Sequence, residues 1–156
     1  KYCGMPKHYL LVYTLLKADE TLAFAQKVGK KLKLPVVNIC NSRGLRGKSS
    51  ENVDFNLMDV SPQQFLWLFH HASFVVTNTF HGNMFSIIFR KSFVHYESNI
   101  CDSRIMTLHN ALGLDKTRML KDVDGLQEIE VHYDKLEPFI ENYVNKGMRY
   151  IMKNIS

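Results

Sequence analysis

Short, mostly apolar runs recur along this chain, three of the four leading into a stretch with helical spacing and the second into a polar loop from Asn41 to about Asn52. Tyr9 to Leu16, Pro35 to Cys40, Phe74 to Asn78 and Ser92 to Tyr96 are such runs. A strand without alternation is covered on both faces, which is the condition of a parallel sheet between helix layers. Between them, Leu22, Ala25, Val28 and Leu32 share one helical face, with Asp19 and Glu20 at its start and Lys30, Lys31 and Lys33 near its end. Ser61-Pro62-Gln63-Gln64 carries the Ser cap, early Pro and Gln of a helix start, and Phe65, Leu66, Leu68, Phe69 and Ala72 follow as a buried face. A short strand is expected around residues 53–57. Asp102 or Ser103 caps a helix through Leu112 that Gly113 ends, and a last helix begins near Asp134, with Leu136, Phe139, Ile140, Tyr143, Val144, Gly147 and Ile151 on one stripe. Four or five strands separated by helices predict an α/β fold with a three-layer, Rossmann-like parallel sheet.

At 156 residues the chain is expected to form a single domain, residues 1–156. It starts at Lys1 and is read as a piece of something longer. No apolar run reaches the roughly 20 residues of a membrane helix. Three widely spaced cysteines, Cys3, Cys40 and Cys101, fit buried thiols in a reducing compartment better than a disulfide framework. The net charge of +5 suits anionic ligands. The aromatics lie in apolar runs instead of between basic residues, which argues against nucleic-acid binding.

The densest chemistry lies in Thr77-Asn78-Thr79-Phe80-His81-Gly82-Asn83, where a strand ends and an apolar helix begins. Ligands of open α/β sheets bind at the carboxyl ends of strands. A helix start adds free amides and a positive dipole end that receive phosphate or carboxylate. Thr77, Asn78, Thr79 and Asn83 supply polar side chains, Gly82 allows close backbone approach, and His81 can donate or accept a proton. His81 is the catalytic candidate; the others, with Arg43, Arg46 and Glu97, are the substrate-binding candidates.

Other motifs read less functionally. Asn41 to Ser49 ends in Gly-Lys-Ser but has Ser42 where a phosphate loop needs Gly, and Ser50-Glu51-Asn52 follows instead of an apolar helix. It is a basic surface loop whose Arg43, Arg46 and Lys48 are placed to reach over a cleft. His70 and His71 fit a helix C-terminus, and no spacing proposes a metal site. His95 and Glu97 end a strand on the edge expected to line the cleft.

The segment Val60 to Gly82, with its Ser-Pro helix start, Val-Val-Thr-Asn strand end and Phe-His-Gly, resembles the polysaccharide pyruvyl transferase family. Phe85 to Phe93, Leu112-Gly113-Leu114 and Val131-His132-Tyr133 extend the likeness. The resemblance implies the C-terminal half of a two-domain, glycosyltransferase-B-like enzyme whose N-terminal half is absent. It implies transfer of pyruvate from phosphoenolpyruvate to a glycan or lipid-linked sugar as a ketal on a cell-surface polysaccharide, with no metal or cofactor. The expected location is cytoplasmic, peripheral at the inner face of the membrane. His81 would contact phosphate and supply a proton. Better-known members carry Arg where Thr79 stands, so the cationic grip is expected from Arg43, Arg46, Lys48, Arg104 or the absent domain. The alternatives are the donor domain of a sugar-nucleotide glycosyltransferase, with Glu97 or Asp102 on a ribose, and a non-catalytic glycan- or anion-binding module. An isolated half is expected to be weakly active or inactive.

Overall fold

The computed structural model describes residues 4–15, 18–40, 53–97, 103–114, 119–126 and 130–155. Six strands form one parallel sheet: β1 (Leu10–Tyr13), β2 (Val36–Ile39), β3 (Phe55–Leu57), β4 (Phe74–Thr77), β5 (Phe93–Tyr96) and β6 (Met119–Leu120). Their order is β3-β2-β1-β4-β5-β6. The chain therefore builds outward from β1 in one direction, then returns to its other side at β4. That reversal leaves a crevice outside the carboxyl ends of β1 and β4, where doubly wound sheets bind ligands.

The helices explain the absence of polar alternation in the strands. Successive strand residues point to opposite faces, and both faces are roofed. On one face Leu11, Val37, Val75 and Phe93 pack with Leu68 and Phe69 of α2 (Pro62–His71), Ile87 of α3 (Phe80–Ile88) and Leu108 of α4 (Ser103–Ala111). On the other, Leu10, Val12, Phe74, Val76 and Val94 pack with Leu22, Phe24, Ala25 and Val28 of α1 (Ala18–Leu32) and with Leu126, beside a 3-10 turn at Val123–Gly125.

The capping box at Ser61 forms as its spacing predicts. The Ser61 amide donates to Gln64 Oε1 at 2.9 Å, and the Gln64 amide donates to Ser61 Oγ at 3.3 Å. Gly113 ends α4 with a positive φ of 64°. The expected strand at residues 53–57 shortens to β3, while β6 at the far edge has no apolar run to announce it: two residues and a parallel neighbour suffice.

The last helix, α5 (Tyr133–Ile155), is anchored at its beginning. Tyr133 Oη donates to the carbonyls of Lys91 at 2.7 Å and Ser86 at 3.1 Å, and Arg90 grips both Glu137 carboxylate oxygens at 2.7 and 2.9 Å. No residue of α5 is fully buried; Leu136 and Ile140 of its apolar stripe are half-buried, Ile140 packing against the core, while Tyr143, Val144 and Ile151 further along the stripe are exposed.

Candidate functional site

Strands β1 and β4 pair with Tyr13 opposite Thr77, the last residues of each. Side chains carry the pairing past the ends of both strands. Thr77 Oγ1 donates to the Tyr13 carbonyl at 2.7 Å. Thr14 Oγ1 donates to Asn78 Oδ1 at 2.8 Å, and Asn78 Nδ2 donates to Thr21 Oγ1 of α1 at 3.0 Å. The floor of the crevice is thus fixed by hydroxyl and amide groups where backbone pairing has stopped.

The turn from β4 into α3 is equally determined. Thr79 is the N-cap, in extended conformation, and its Oγ1 accepts the Gly82 amide at 2.9 Å. The Thr79 amide donates back to Thr77 Oγ1 at 3.2 Å. This cap uses the third amide of α3 and leaves those of Phe80 and His81, at the positive end of the helix dipole, directed out of the first turn.

Asn83, completely buried, holds the turn from behind. Its Nδ2 donates to the Thr79 carbonyl at 2.7 Å and to His95 Nδ1 at 3.0 Å; its Oδ1 accepts from His109 Nε2 at 2.9 Å. That arrangement assigns His95 as the acceptor at Nδ1 and His109 as the donor at Nε2. His109 Nδ1 has no hydrogen-bond partner among the described residues, and burial pushes the imidazole pKa down to about 4. A neutral His109 is what this apolar surrounding requires.

His81 itself is exposed on the first turn of α3. Its ring meets Phe80 edge-on at 5.9 Å and borders an open groove of about 520 Å³, formed with Tyr13, Val60, Pro62, Phe65, Leu66 and Phe85. A second hollow, of about 210 Å³, shares Tyr13, Val60 and Phe65 with it and continues to Thr14, Leu15, Ile39, Cys40 and Asp59. The two make one depression along the carboxyl edge of β1 and β2, with His81 at one end. Burial pushes both the Tyr13 hydroxyl and the Cys40 thiol up, so each stays protonated and neutral near pH 7. Arg104, at the start of α4, places its guanidinium carbon 5.3 Å from the Phe80 ring centroid and so brings a cation beside the α3 N-terminus.

The expected site residues divide by depth. His81 is exposed and Asn78 half-buried, whereas Thr77, Thr79, Gly82 and Asn83 are buried. The buried four shape the turn that presents the α3 amides, with Thr77 and Asn83 entirely enclosed. Glu97 is exposed at the end of β5 but does not line the groove. His95, expected to face the cleft, is instead 5 % exposed and turned inward to Asn83. Arg43, Arg46, Lys48 and Asp102 lie outside the described residues. His70 and His71 are exposed at the end of α2, with His71 Nδ1 2.8 Å from the Trp67 carbonyl. Sequence spacing gave no hint of the His109 link, because its partner Asn83 is 26 residues away on a different helix. Among the described residues, no group of three or more His, Cys, Asp or Glu side chains is arranged to hold a metal. None of their helices is long and apolar enough to cross a membrane.

Comparison with known proteins decides the affiliation. The sequence profile of polysaccharide pyruvyl transferases matches residues 1–99, which carry β1 through β5 and the whole of the His81 turn. The chain belongs to the polysaccharide pyruvyl transferase family. Among solved structures it is similar to one described as the glycotransferase of kitacinnamycin, with a TM-score of 0.54, 15% identity and 89% of this chain covered. That likeness is one of fold, and it identifies the sheet as glycosyltransferase-B-like. The chain spans only 39% of that protein's length. None of the curated proteins compared is similar enough to match.

Proposed function

We propose that this family member is the C-terminal half of a two-domain transferase that moves pyruvate from phosphoenolpyruvate onto a sugar diol of a polysaccharide. The observation that carries this reading is the position of His81: exposed on the first turn of α3, at the β1–β4 switch point, within a segment matched by the family profile. The amides of Phe80 and His81 receive the donor phosphate or carboxylate. Arg104, stacked on Phe80, contributes the positive charge that Thr79 does not.

The chemistry balances without a cofactor. His81 in its protonated form donates a proton to the methylene carbon of the enol, and the adjacent carbon becomes oxocarbenium-like. One sugar hydroxyl adds there, phosphate departs, and the second hydroxyl closes the cyclic ketal. The two hydroxyl protons replace the one given by His81 and neutralise the leaving phosphate. Dipole and guanidinium act where phosphate charge develops, the kind of stabilisation that is strongest in a partly enclosed site. The aromatic wall of Tyr13, Phe65 and Phe85 suits the apolar face of a pyranose ring.

The test is phosphate release and ketal formation, followed by NMR, with the complete protein, phosphoenolpyruvate and its polysaccharide acceptor. Acceptor-dependent release that disappears in His81→Ala supports the proposal. Turnover of a sugar nucleotide in its place would make the chain a glycosyltransferase donor domain, and absence of both activities would make it a binding module.

A further inference from the structure

The depression along the carboxyl edge of the sheet differs in charge between its ends. His81, the first amides of α3 and Arg104 gather at one end, where an anion is received. The other end is the hollow of about 210 Å³ over β1 and β2, and among the described residues Asp59 is the one charged side chain lining it. Asp59 lies on the connection between β3 and α2 and has a φ of 53°. Non-glycine residues avoid that left-handed region, Asp and Asn less than most. Lys33 and Arg90 share it, but each comes within two residues of the end of a helix, where a left-handed residue commonly closes the last turn. Asp59 follows a strand and ends no helix.

Among the described residues the Asp59 carboxylate has neither a hydrogen bond nor an ion pair, and it is exposed, so both oxygens are available as acceptors. Beside it, Tyr13 and Phe65 meet edge to face with ring centroids 5.0 Å apart and form a wall common to the hollow and the His81 groove. The Cys40 thiol in the same hollow is neutral. A phosphate or carboxylate is repelled by Asp59. A neutral ring with adjacent hydroxyls instead gives the carboxylate two hydrogen bonds and lays its C–H face on the aromatic wall. At about 210 Å³ the hollow is smaller than the roughly 300–1,000 Å³ of sites for drug-sized ligands, so it suits one such ring.

We infer that Asp59 anchors a neutral sugar in this hollow, its carboxylate accepting from two adjacent hydroxyls of one pyranose. Pairing that sugar with an anionic donor at His81 rests on the proposed transfer; the sugar subsite itself does not. The test is saturation-transfer NMR on the complete protein with a panel of methyl hexopyranosides, with uridine and adenosine, and with phosphoenolpyruvate. Saturable binding of at least one glycoside is expected, weakened about tenfold or more by Asp59→Asn, the order of one charge-assisted hydrogen bond. Asn adopts the same φ, so the unfolding transition of the variant should match wild type. Its phosphoenolpyruvate affinity is expected not to fall. Glycoside binding that depends on Asp59, in a protein that does not bind phosphoenolpyruvate, upholds the subsite and removes the transfer reading alone. The inference is overturned if no glycoside binds, if Asp59→Asn leaves glycoside binding unchanged, or if it weakens phosphoenolpyruvate binding equally. A nucleoside held through Asp59 more tightly than every glycoside overturns it in favour of a ribose site.

Discussion

Gly82 lies so close to Thr77 that a Cβ built on it would stand 2.7 Å from the Thr77 Cβ. The first turn of α3 therefore rests directly on the end of β4, and that contact aims the helix start into the crevice. Gly82→Ala must push the two elements apart and is expected to destabilise the fold by about 1–3 kcal/mol. Gly147→Ala is the contrast, since a Cβ there meets nothing within 4 Å and an exposed helix interior gains up to about 1 kcal/mol from it. Urea denaturation of the two variants should show opposite signs.

The Asn83 side chain joins the Thr79 carbonyl, His95 and His109 in the interior. Asn83→Ala removes the acceptor of the buried His109 Nε2 and the donor to His95 Nδ1, while the Thr79 carbonyl keeps the backbone amide of residue 83 at 3.2 Å. A buried group left unsatisfied costs about 1–3 kcal/mol, so a loss of about that size is expected by the same denaturation measurement.

Acid should unfold the protein through His109. Its imidazole titrates near 4 in the folded state against 6.5 when unfolded. The unfolded chain therefore binds the extra proton between those values, and stability rises with pH across that window. The contribution is complete above about pH 6.5 and is lost as pH falls toward 4, on the order of 3 kcal/mol in all. His109→Gln keeps a donor for Asn83 Oδ1 and lacks the titration. Denaturation curves from pH 7 to about pH 4 should show a shallower decline for that variant than for wild type.

Arg104 supplies charge beside the α3 N-terminus by resting on Phe80. Arg104→Ala is expected to weaken phosphoenolpyruvate binding about tenfold, the order of one charge-assisted hydrogen bond. Because Arg104 is exposed, the wild-type affinity should fall with salt and the variant's should fall less, measured by titration calorimetry at two ionic strengths.

The sheet was legible because burial on both faces writes itself as unbroken apolar runs, and residues 10–13, 36–39, 74–77 and 93–96 are strands within those runs. The α2 capping box and the Thr79 turn were legible because their hydrogen bonds span three residues. The depth of the site residues was not, since Asn83 and His81 are two positions apart on one helix and face interior and solvent respectively. His95 ends a strand on the ligand edge, yet its side chain turns to Asn83 across a tertiary contact that no local spacing encodes. The stripe on α5 is helical in period, but period alone does not reveal that Tyr143, Val144, Met148, Ile151 and Ile155 are exposed.

Titration of phosphoenolpyruvate into the complete protein and into His81→Ala tests the proposed site most directly. His81 is exposed and its replacement should leave folding intact, so a change in binding reports on the ligand alone. Saturable wild-type binding weakened tenfold or more in the variant is the predicted result. No binding by wild type, equal binding by both, or a preference for a sugar nucleotide would contradict it.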